Sequence, residues 1–331
     1  MRVFVAGATG AIGRPLTRRL LEAGHDVAAM TRSRERAAAL RECGVAAVGA
    51  AALDAAAATR AIAAARPEVV VHQLTDIPAR IRPRRYAEDL APTGRLRRET
   101  GPTFARAARA AGARRLVAQS ISFVVRPEGP PVLDETAPAL DLAIARPALE
   151  LEEAVLGAEA LEGVVLRYGY FYGPGTGFGP GGASAEDVRR RRMPIIGRGE
   201  GLMSFIHVED AAAATVQALD HGAPGIYNVT DDEPIAQREW VRLLAATLGA
   251  PPPRRIPAWV ARLVAGPPAA TAVAGHGQSN AKARRELGFV PVYPSVREGF
   301  PATFGVPAAD PGGLSAELDV EPVIGARRRV R

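Results

Sequence analysis

The chain has 331 residues, of which 47% are hydrophobic and 23% charged, a composition that predicts a globular protein with room for a large domain and a smaller one. Its formal charge of +7 comes from scattered arginines without an aromatic-rich basic stripe, so we expect no nucleic acid among its partners. No apolar run approaches the roughly 20 residues that span a bilayer. The single cysteine and the absence of a signal-peptide pattern in MRVFVAGATG predict a cytoplasmic protein without a membrane partner.

Short apolar runs alternate with alanine-rich segments through the first half of the chain. The runs predict strands at Val3–Ala6, Val27–Met30, Val45–Val48, Val69–Leu74, Leu116–Ala118 and Gly163–Arg167. The segments between them predict helices at Pro15–Ala23, Arg34–Glu42, Ala55–Ala65 and Pro102–Ala111. Strands that are apolar throughout belong to a parallel sheet covered on both faces, so the predicted fold class is α/β with a doubly wound parallel sheet.

The second half has a looser pattern. It predicts helices at Ala185–Arg192, Glu209–Leu219 and Gln237–Leu248, and strands at Ser204–His207 and Gly225–Val229. We therefore assign residues 1–170 to a first domain, to which residues 204–232 return. Residues 171–203 and 233–306 form a smaller α+β C-terminal domain. The tail 307–331 has few core residues and is predicted to be loosely held.

A glycine-rich loop directly follows the first predicted strand and opens the first helix. In GATGAIG, the glycines permit a tight turn and a close approach of the backbone to a pyrophosphate, which the helix N-terminus then holds. This context predicts a Rossmann domain that binds a dinucleotide; the alternative is a tight turn with no ligand. The candidate cofactor residues of the loop are Gly7, Thr9, Gly10, Ala11, Ile12 and Gly13.

The second strand ends in Thr31, Arg32 and Ser33, where a site for NAD usually has an acidic residue that holds the ribose 2′-hydroxyl. An arginine instead suits a 2′-phosphate, because its planar fork can bind two oxygens. Arg14, at the start of the first helix, could reach the same phosphate. The cofactor is therefore predicted to be NADP(H); the alternative is a solvated arginine-rich loop.

Seven segments together resemble the extended short-chain dehydrogenase/reductases, the NAD(P)-dependent epimerase/dehydratase family. They are GATGAIG, VVHQL, AQS, LRYGYFYGP, SFIHVEDAAAA, YNVTDDEP and SNAKARRELGF, and the resemblance covers residues 1–305. It implies a Rossmann domain with a smaller substrate domain, a homodimer that pairs through two helices, and a small-molecule substrate. It also implies cofactor contacts from Gln73, Leu74, Ser120 and Tyr168.

The family's catalytic signature, a tyrosine with a lysine four residues later, is absent. Ile144 and Ala148 stand at the corresponding places, and Pro147 lies between them. The sole lysine is Lys282, and no tyrosine lies four residues before it. The chain therefore resembles the atypical branch of the family, which keeps the cofactor fold without the usual proton-transferring pair.

The remaining candidates for catalysis are Tyr170, Ser122 and His207. The family's catalytic serine falls at either Ser120 or Ser122, and both readings stay open. Tyr170 replaces an asparagine that contacts the sugar nucleotide in many relatives, which favours a more apolar or aromatic substrate. His207 is either a buried, hydrogen-bonded residue or a proton relay. Tyr172, two residues after Tyr170 in LRYGYFYGP, is expected to support a turn.

These observations predict an NADPH-dependent reductase, or an isomerase or dehydratase that uses the cofactor transiently, acting on a small, partly apolar metabolite. The alternative is an NADP(H)-binding redox sensor or scaffold without turnover. No set of histidine, cysteine, aspartate and glutamate residues has metal-ligand spacing, so no metal is expected.

Overall fold

The computed structural model describes residues 1–143, 145–265 and 273–306. Position 144 and the predicted tail 307–331 lie outside the described residues. The strands are β1 (Arg2–Ala6), β2 (Asp26–Thr31), β3 (Ala46–Gly49), β4 (Val69–His72), β5 (Arg115–Ile121), β6 (Val132–Leu133), β7 (Glu162–Tyr168), β8 (Tyr170–Tyr172), β9 (Ile195–Ile196), β10 (Leu202–Met203), β11 (Phe205–His207), β12 (Gly225–Val229), β13 (Ile235–Ala236), β14 (Arg255–Ile256) and β15 (Gly277–Gln278).

A seven-stranded parallel sheet forms the centre of the molecule, in the order β12-β7-β5-β4-β1-β2-β3. The helices are α1 (Gly13–Glu22), α2 (Arg34–Glu42), α3 (Ala55–Ala65), α4 (Tyr86–Ala110), α5 (Arg146–Leu156), α6 (Ala183–Arg189), α7 (Val208–Gln217), α8 (Gln237–Thr247), α9 (Ala258–Ala265), α10 (Ala281–Leu287) and α11 (Val296–Phe304). The predicted doubly wound Rossmann-like sheet is confirmed.

Helices cover both faces of the sheet. On one face α1, α2, α7 and α10 bury apolar side chains against the strands, including Leu16, Leu40 and Leu287. On the other face α3, α4 and α5 do the same, with Ile62 and Phe104 among the buried residues. Each fully buried side chain of this size contributes about 1.5–3 kcal/mol relative to an exposed one. The two apolar layers therefore hold the sheet between them.

Helix α4 is much longer than predicted. The sequence predicted a helix only from Pro102, but the structure continues it back to Tyr86 through Pro92 and Pro102. The added turns include Pro92, although proline removes a backbone donor from a helix. Packing against α5 supports the extra turns: a Cβ at Gly94 would lie 3.2 Å from Pro147 Cγ, and one at Gly101 2.8 Å from Leu151 Cδ1.

A third apolar cluster lies beside the sheet. It joins Tyr172, Phe205, Trp240 and Phe300, which come from β8, β11, α8 and α11. Most of its members come from residues 171–203 and 233–306, the segments assigned to the smaller domain, although the domain boundaries themselves stay a prediction. Within the described ranges, no helix has the length and apolar character needed to cross a bilayer.

Candidate active site

The glycine-rich loop lies where the strand order reverses, between β1 and β4, which is where open α/β sheets bind ligands. Gly7 has a φ of +98°, and a Cβ there would lie 2.4 Å from the carbonyl oxygen of Gln73. A Cβ on Gly13 would lie 2.0 Å from the Gly7 oxygen. No side chain caps α1, and its first turn has no acidic residue. The loop therefore fits a pyrophosphate, with free N–H groups directed at the anion.

Arg14 lies in the first turn of α1, next to the loop, and Arg32 follows the neighbouring strand β2. Arg32 follows the end of β2 and is exposed, and Arg14 reaches only the backbone oxygen of Thr9, at 3.3 Å. Neither guanidinium forms an ion pair with any described residue. Ser33 has a different role: its hydroxyl caps α2 by accepting a hydrogen bond from Arg36 N at 3.2 Å. Thr31 is buried at the strand end.

Tyr168 does not face an open cleft in this structure, and its contact with the nicotinamide stays a prediction from the sequence. It ends β7 and is fully buried, and its hydroxyl bonds Thr215 Oγ1 at 2.6 Å and accepts from Gln73 Nε2 at 3.1 Å. Burial raises the pKa of Tyr168 to about 12. Leu74, next to Gln73, is half-buried against the core. The hydrogen bond to Tyr168 therefore fixes the orientation of the Gln73 side chain.

Ser120 also points into the interior. Its hydroxyl donates to Glu152 Oε1 at 2.5 Å. The same carboxylate accepts from Arg167 Nε at 2.8 Å and from Arg167 Nη2 at 2.6 Å. Ser120 therefore belongs to a buried ionic cluster between β5, β7 and α5, and its contact with the cofactor ribose stays a prediction.

Ser122 and His207, the other predicted catalytic residues, are also engaged. Ser122 is fully buried and donates to Gln278 Oε1 at 3.0 Å. His207 accepts from Glu209 N at 3.2 Å, which caps α7, and burial lowers its pKa to about 4. The neutral ring packs 4.3 Å from Tyr293, centroid to centroid. Of the two readings of His207, the structure favours the buried, hydrogen-bonded one.

Tyr170 is the one predicted catalytic side chain whose polar atom is free among the described residues. Gly169 separates it from Tyr168, and a Cβ at Gly169 would lie 2.6 Å from the oxygen of Ser204. The chain thus leaves the central sheet after Tyr168, and β8 pairs with β11 instead. Tyr170 is half-buried, and no hydrogen bond engages its hydroxyl. Burial raises its pKa above the usual value, with a smaller effect from Tyr86.

Two aromatic residues that sequence reasoning missed lie beside Tyr170. Phe123 stacks on it with ring centroids 4.4 Å apart and planes 9° apart. Tyr86, at the start of α4, is half-buried, and burial raises its pKa. The sequence signal for Phe123 was its position directly after Ser122, whereas no signal in the sequence pointed to Tyr86. Phe123 and Tyr170 form a parallel stack. We call this stack, together with Tyr86, the aromatic wall; it carries two phenol groups.

No basic side chain stands at position 148, where the family has its catalytic lysine. Ala148 is fully buried and packs with Val124 and Ala145. Lys282 is held at the edge of the sheet, where its Nζ donates to the oxygen of Ile226 on β12 at 2.8 Å. Among the described residues, no three metal-ligating side chains cluster.

Residues 3–230 match the sequence profile of the NAD dependent epimerase/dehydratase family. The chain belongs to this family. It is 47% identical over 307 residues to a 3-diazoavenalumate denitrifying reductase of a Streptomyces species, an alignment that covers 90% of this chain and 99% of the relative. It is 29% identical over 270 residues to a 2-alkyl-3-oxoalkanoate reductase of Stenotrophomonas maltophilia, covering 76% and 77% of the two chains.

Solved structures show the same fold. The UDP-glucose 4-epimerase of Thermotoga maritima, solved with UDP-glucose, superposes with a TM-score of 0.75 at 19% identity and covers 92% of this chain and 98% of its own. The human epimerase family protein SDR39U1, solved with NADPH, gives 0.70 at 23% identity, covering 92% and 99%. The prediction of an enzyme from this family is confirmed: the chain is an NAD(P)-dependent, reductase-like enzyme.

Proposed function

We propose that the protein is an NADPH-dependent reductase that removes a diazo group from a small aromatic compound and releases dinitrogen. The observation that carries this proposal is the loss of the proton-donating pair from an otherwise preserved reductase fold. Ala148 stands in place of the lysine and is buried in an apolar cluster. Lys282 instead donates a hydrogen bond to Ile226 at the edge of the sheet. The relative that is 47% identical over nearly its whole length bears a name for this type of reaction.

The chemistry explains why such a pair can be lost. Reduction of a carbonyl adds hydride to carbon and leaves an alkoxide, which must receive a proton from an acid such as tyrosine. An arenediazonium ion already carries a positive charge. When its C–N bond breaks, dinitrogen leaves and a hydride takes its place, so the arene forms with no net proton consumed. Bound NADPH supplies the hydride and is oxidised to NADP⁺.

The cofactor residues support NADPH over NADH. Arg32 replaces the usual acid after β2, is exposed and has no ion-pair partner among the described residues. Arg14 lies on the first turn of α1. A ribose 2′-phosphate would give both guanidinium groups an anion. The Gly7–Gly13 loop would hold the pyrophosphate with backbone N–H groups.

The aromatic wall suits the substrate. Phe123 and Tyr170 present parallel rings, and Tyr86 adds a third aromatic ring nearby. Such faces attract a flat aromatic cation by stacking and by the cation–π interaction. Because burial raises the pKa of Tyr170, its phenol stays neutral at neutral pH. It therefore donates a hydrogen bond or supplies surface rather than acting as a base.

The test is a single-substrate reaction with a labelled product. The protein is incubated with NADPH and a carboxyphenyl diazonium salt whose diazo group carries heavy nitrogen, and the gas is analysed by mass spectrometry. We expect labelled dinitrogen, arene and NADP⁺ in equal amounts. Reduction of cinnamaldehyde or simple ketones, with the diazonium salt consumed no faster than without protein, would contradict the proposal.

A second candidate is a redox sensor that binds NADP(H) without turnover. The observation that favours it is that Tyr168, Ser120 and Ser122 are buried and hydrogen-bonded to other side chains. NADPH binding without oxidation in the presence of any substrate would support the sensor.

An isomerase or dehydratase would instead convert its substrate with no net change in NADPH.

A further inference from the structure

Arg97, on α4, is a buried cation without a partner. It is 6% exposed, and its guanidinium forms neither a hydrogen bond nor an ion pair with any described residue. Other buried arginines have carboxylate partners: Arg167 pairs with Glu152, and Arg115 with Glu162. An unpaired buried charge is costly, so its retention points to a partner that joins from outside the chain.

The groups around Arg97 leave its charge uncompensated. Glu152 on α5 is close enough to raise the pKa of Arg97, but its carboxylate already accepts hydrogen bonds from Arg167 and Ser120. His72 on β4 is buried and bonds Thr100, and burial lowers its pKa to about 4, which keeps it neutral. Burial lowers the pKa of Arg97 itself to about 10, so Arg97 stays charged at neutral pH.

Arg97 lies on α4, the helix that begins at Tyr86. Tyr86, at the start of the same helix, interacts electrostatically both with Arg97 and with Tyr170. Arg97 is also placed between Gly94 and Gly101, whose missing side chains let α4 pack closely against α5. It therefore belongs to the helix face that meets β4 and α5, beside the strand ends where the substrate is expected.

We propose that Arg97 binds a carboxylate carried by the aromatic substrate, so that the site selects anionic aromatic compounds. A guanidinium presents parallel N–H donors that match a carboxylate, and a dry site strengthens the pairing. The aromatic part of the substrate rests on the function proposed above. The anion site stands on the unpaired charge of Arg97, whichever reaction takes place beside it.

The test compares a charged probe with an uncharged probe of the same shape. Both are titrated into the full-length protein saturated with NADP⁺. Isothermal titration calorimetry measures the affinity of trans-cinnamate and trans-cinnamamide. We expect wild type to bind the carboxylate about 10- to 100-fold more tightly than the amide. Arg97→Met should bind both equally, and Arg97→Lys should keep part of the preference. Arg106→Met, at an exposed arginine of the same helix, serves as the matched control and should behave as wild type.

Two outcomes overturn the inference: no preference for the carboxylate in wild type, or an unchanged preference in Arg97→Met. Unliganded Arg97→Met should melt no lower than wild type, because it removes an unpaired buried charge. A lower melting temperature with an unchanged preference would make Arg97 a structural partner of Glu152. If Arg97→Met does not fold, an unchanged preference in the neutral variant Arg97→Gln overturns the inference. Because the probes contain no diazo group, this binding test can be interpreted even if the proposed reaction fails.

Discussion

Phe123 and Tyr170 lie ring on ring, with centroids 4.4 Å apart and planes 9° apart. The two residues come from different parts of the fold: Phe123 follows β5 of the central sheet, and Tyr170 begins β8, which pairs with β11. Their stack therefore joins the central sheet to the third apolar cluster at the strand ends.

If Tyr170 serves as surface and hydrogen-bond donor, its ring matters more than its hydroxyl. Tyr170→Phe should keep kcat for a diazonium substrate within about threefold of wild type, whereas Phe123→Leu should raise KM about 3- to 10-fold, as expected from losing roughly 0.5–1.5 kcal/mol of aromatic stacking. Steady-state kinetics on both variants checks this. A hundredfold loss of kcat in a well-folded Tyr170→Phe would instead identify the phenol as a proton donor.

Arg32 should determine the choice between the two nicotinamide cofactors. Arg32→Ala should weaken NADPH binding by about 1.5–3 kcal/mol, roughly 10- to 100-fold in Kd, and leave NADH binding unchanged, because only NADPH carries the 2′-phosphate. Fluorescence titration of both cofactors measures the effect. The control is Arg60→Ala, at an exposed arginine on α3. Equal affinity of wild type for NADPH and NADH would refute the assignment.

Ser120 should act on stability rather than on cofactor binding. Its bond to Glu152 is buried and charge-assisted, so Ser120→Ala should lower the free energy of unfolding by about 1.5–3 kcal/mol. Ser122→Ala, which removes a bond to the neutral Gln278, should cost only about 0.5–1.5 kcal/mol. Urea unfolding gives both values. A Ser120→Ala variant of normal stability that binds NADPH poorly would restore the ribose contact predicted from the sequence.

Asp231 should make stability fall as pH rises. It is 1% exposed, neither carboxyl oxygen has a hydrogen-bond partner among the described residues, and burial raises its pKa to about 9. The unfolded chain releases this proton near the ordinary aspartate pKa of 3.8, while the native state keeps it until about pH 9. Between these values the unfolded state binds fewer protons, so the native state loses stability with rising pH.

Asp231→Asn removes this proton in both states, so its stability gain over wild type should be larger at about pH 8 than at about pH 5. Thermal melts at the two pH values measure the difference. Asp26→Asn, at an exposed aspartate, should show no such trend. A gain that is independent of pH, or larger at the lower value, would show that Asp231 is ionised in the native protein.

Much of the fold follows from local patterns that the sequence displays. The apolar strands, the glycine-rich loop and the alanine-rich helices could be read directly, and the strand Gly225–Val229 has the predicted bounds. Local residue preferences determine these features, because burial on both faces requires apolar strands and a turn close to a phosphate requires glycine. The loss of the catalytic tyrosine–lysine pair was also visible in the sequence, because the single lysine has no tyrosine four residues before it.

Only the tertiary structure decided which polar side chains face the interior. Arg97 is one of many scattered arginines in the sequence, yet it is only 6% exposed in the fold. Glu152 drew no attention in the sequence, although it bonds both Ser120 and Arg167. The partners of such groups lie far apart along the chain, and nothing local to any one of them specifies the others. Packing of α4 and α5 against the sheet brings them together, and burial then sets whether each charge is paired, neutral or left for a ligand.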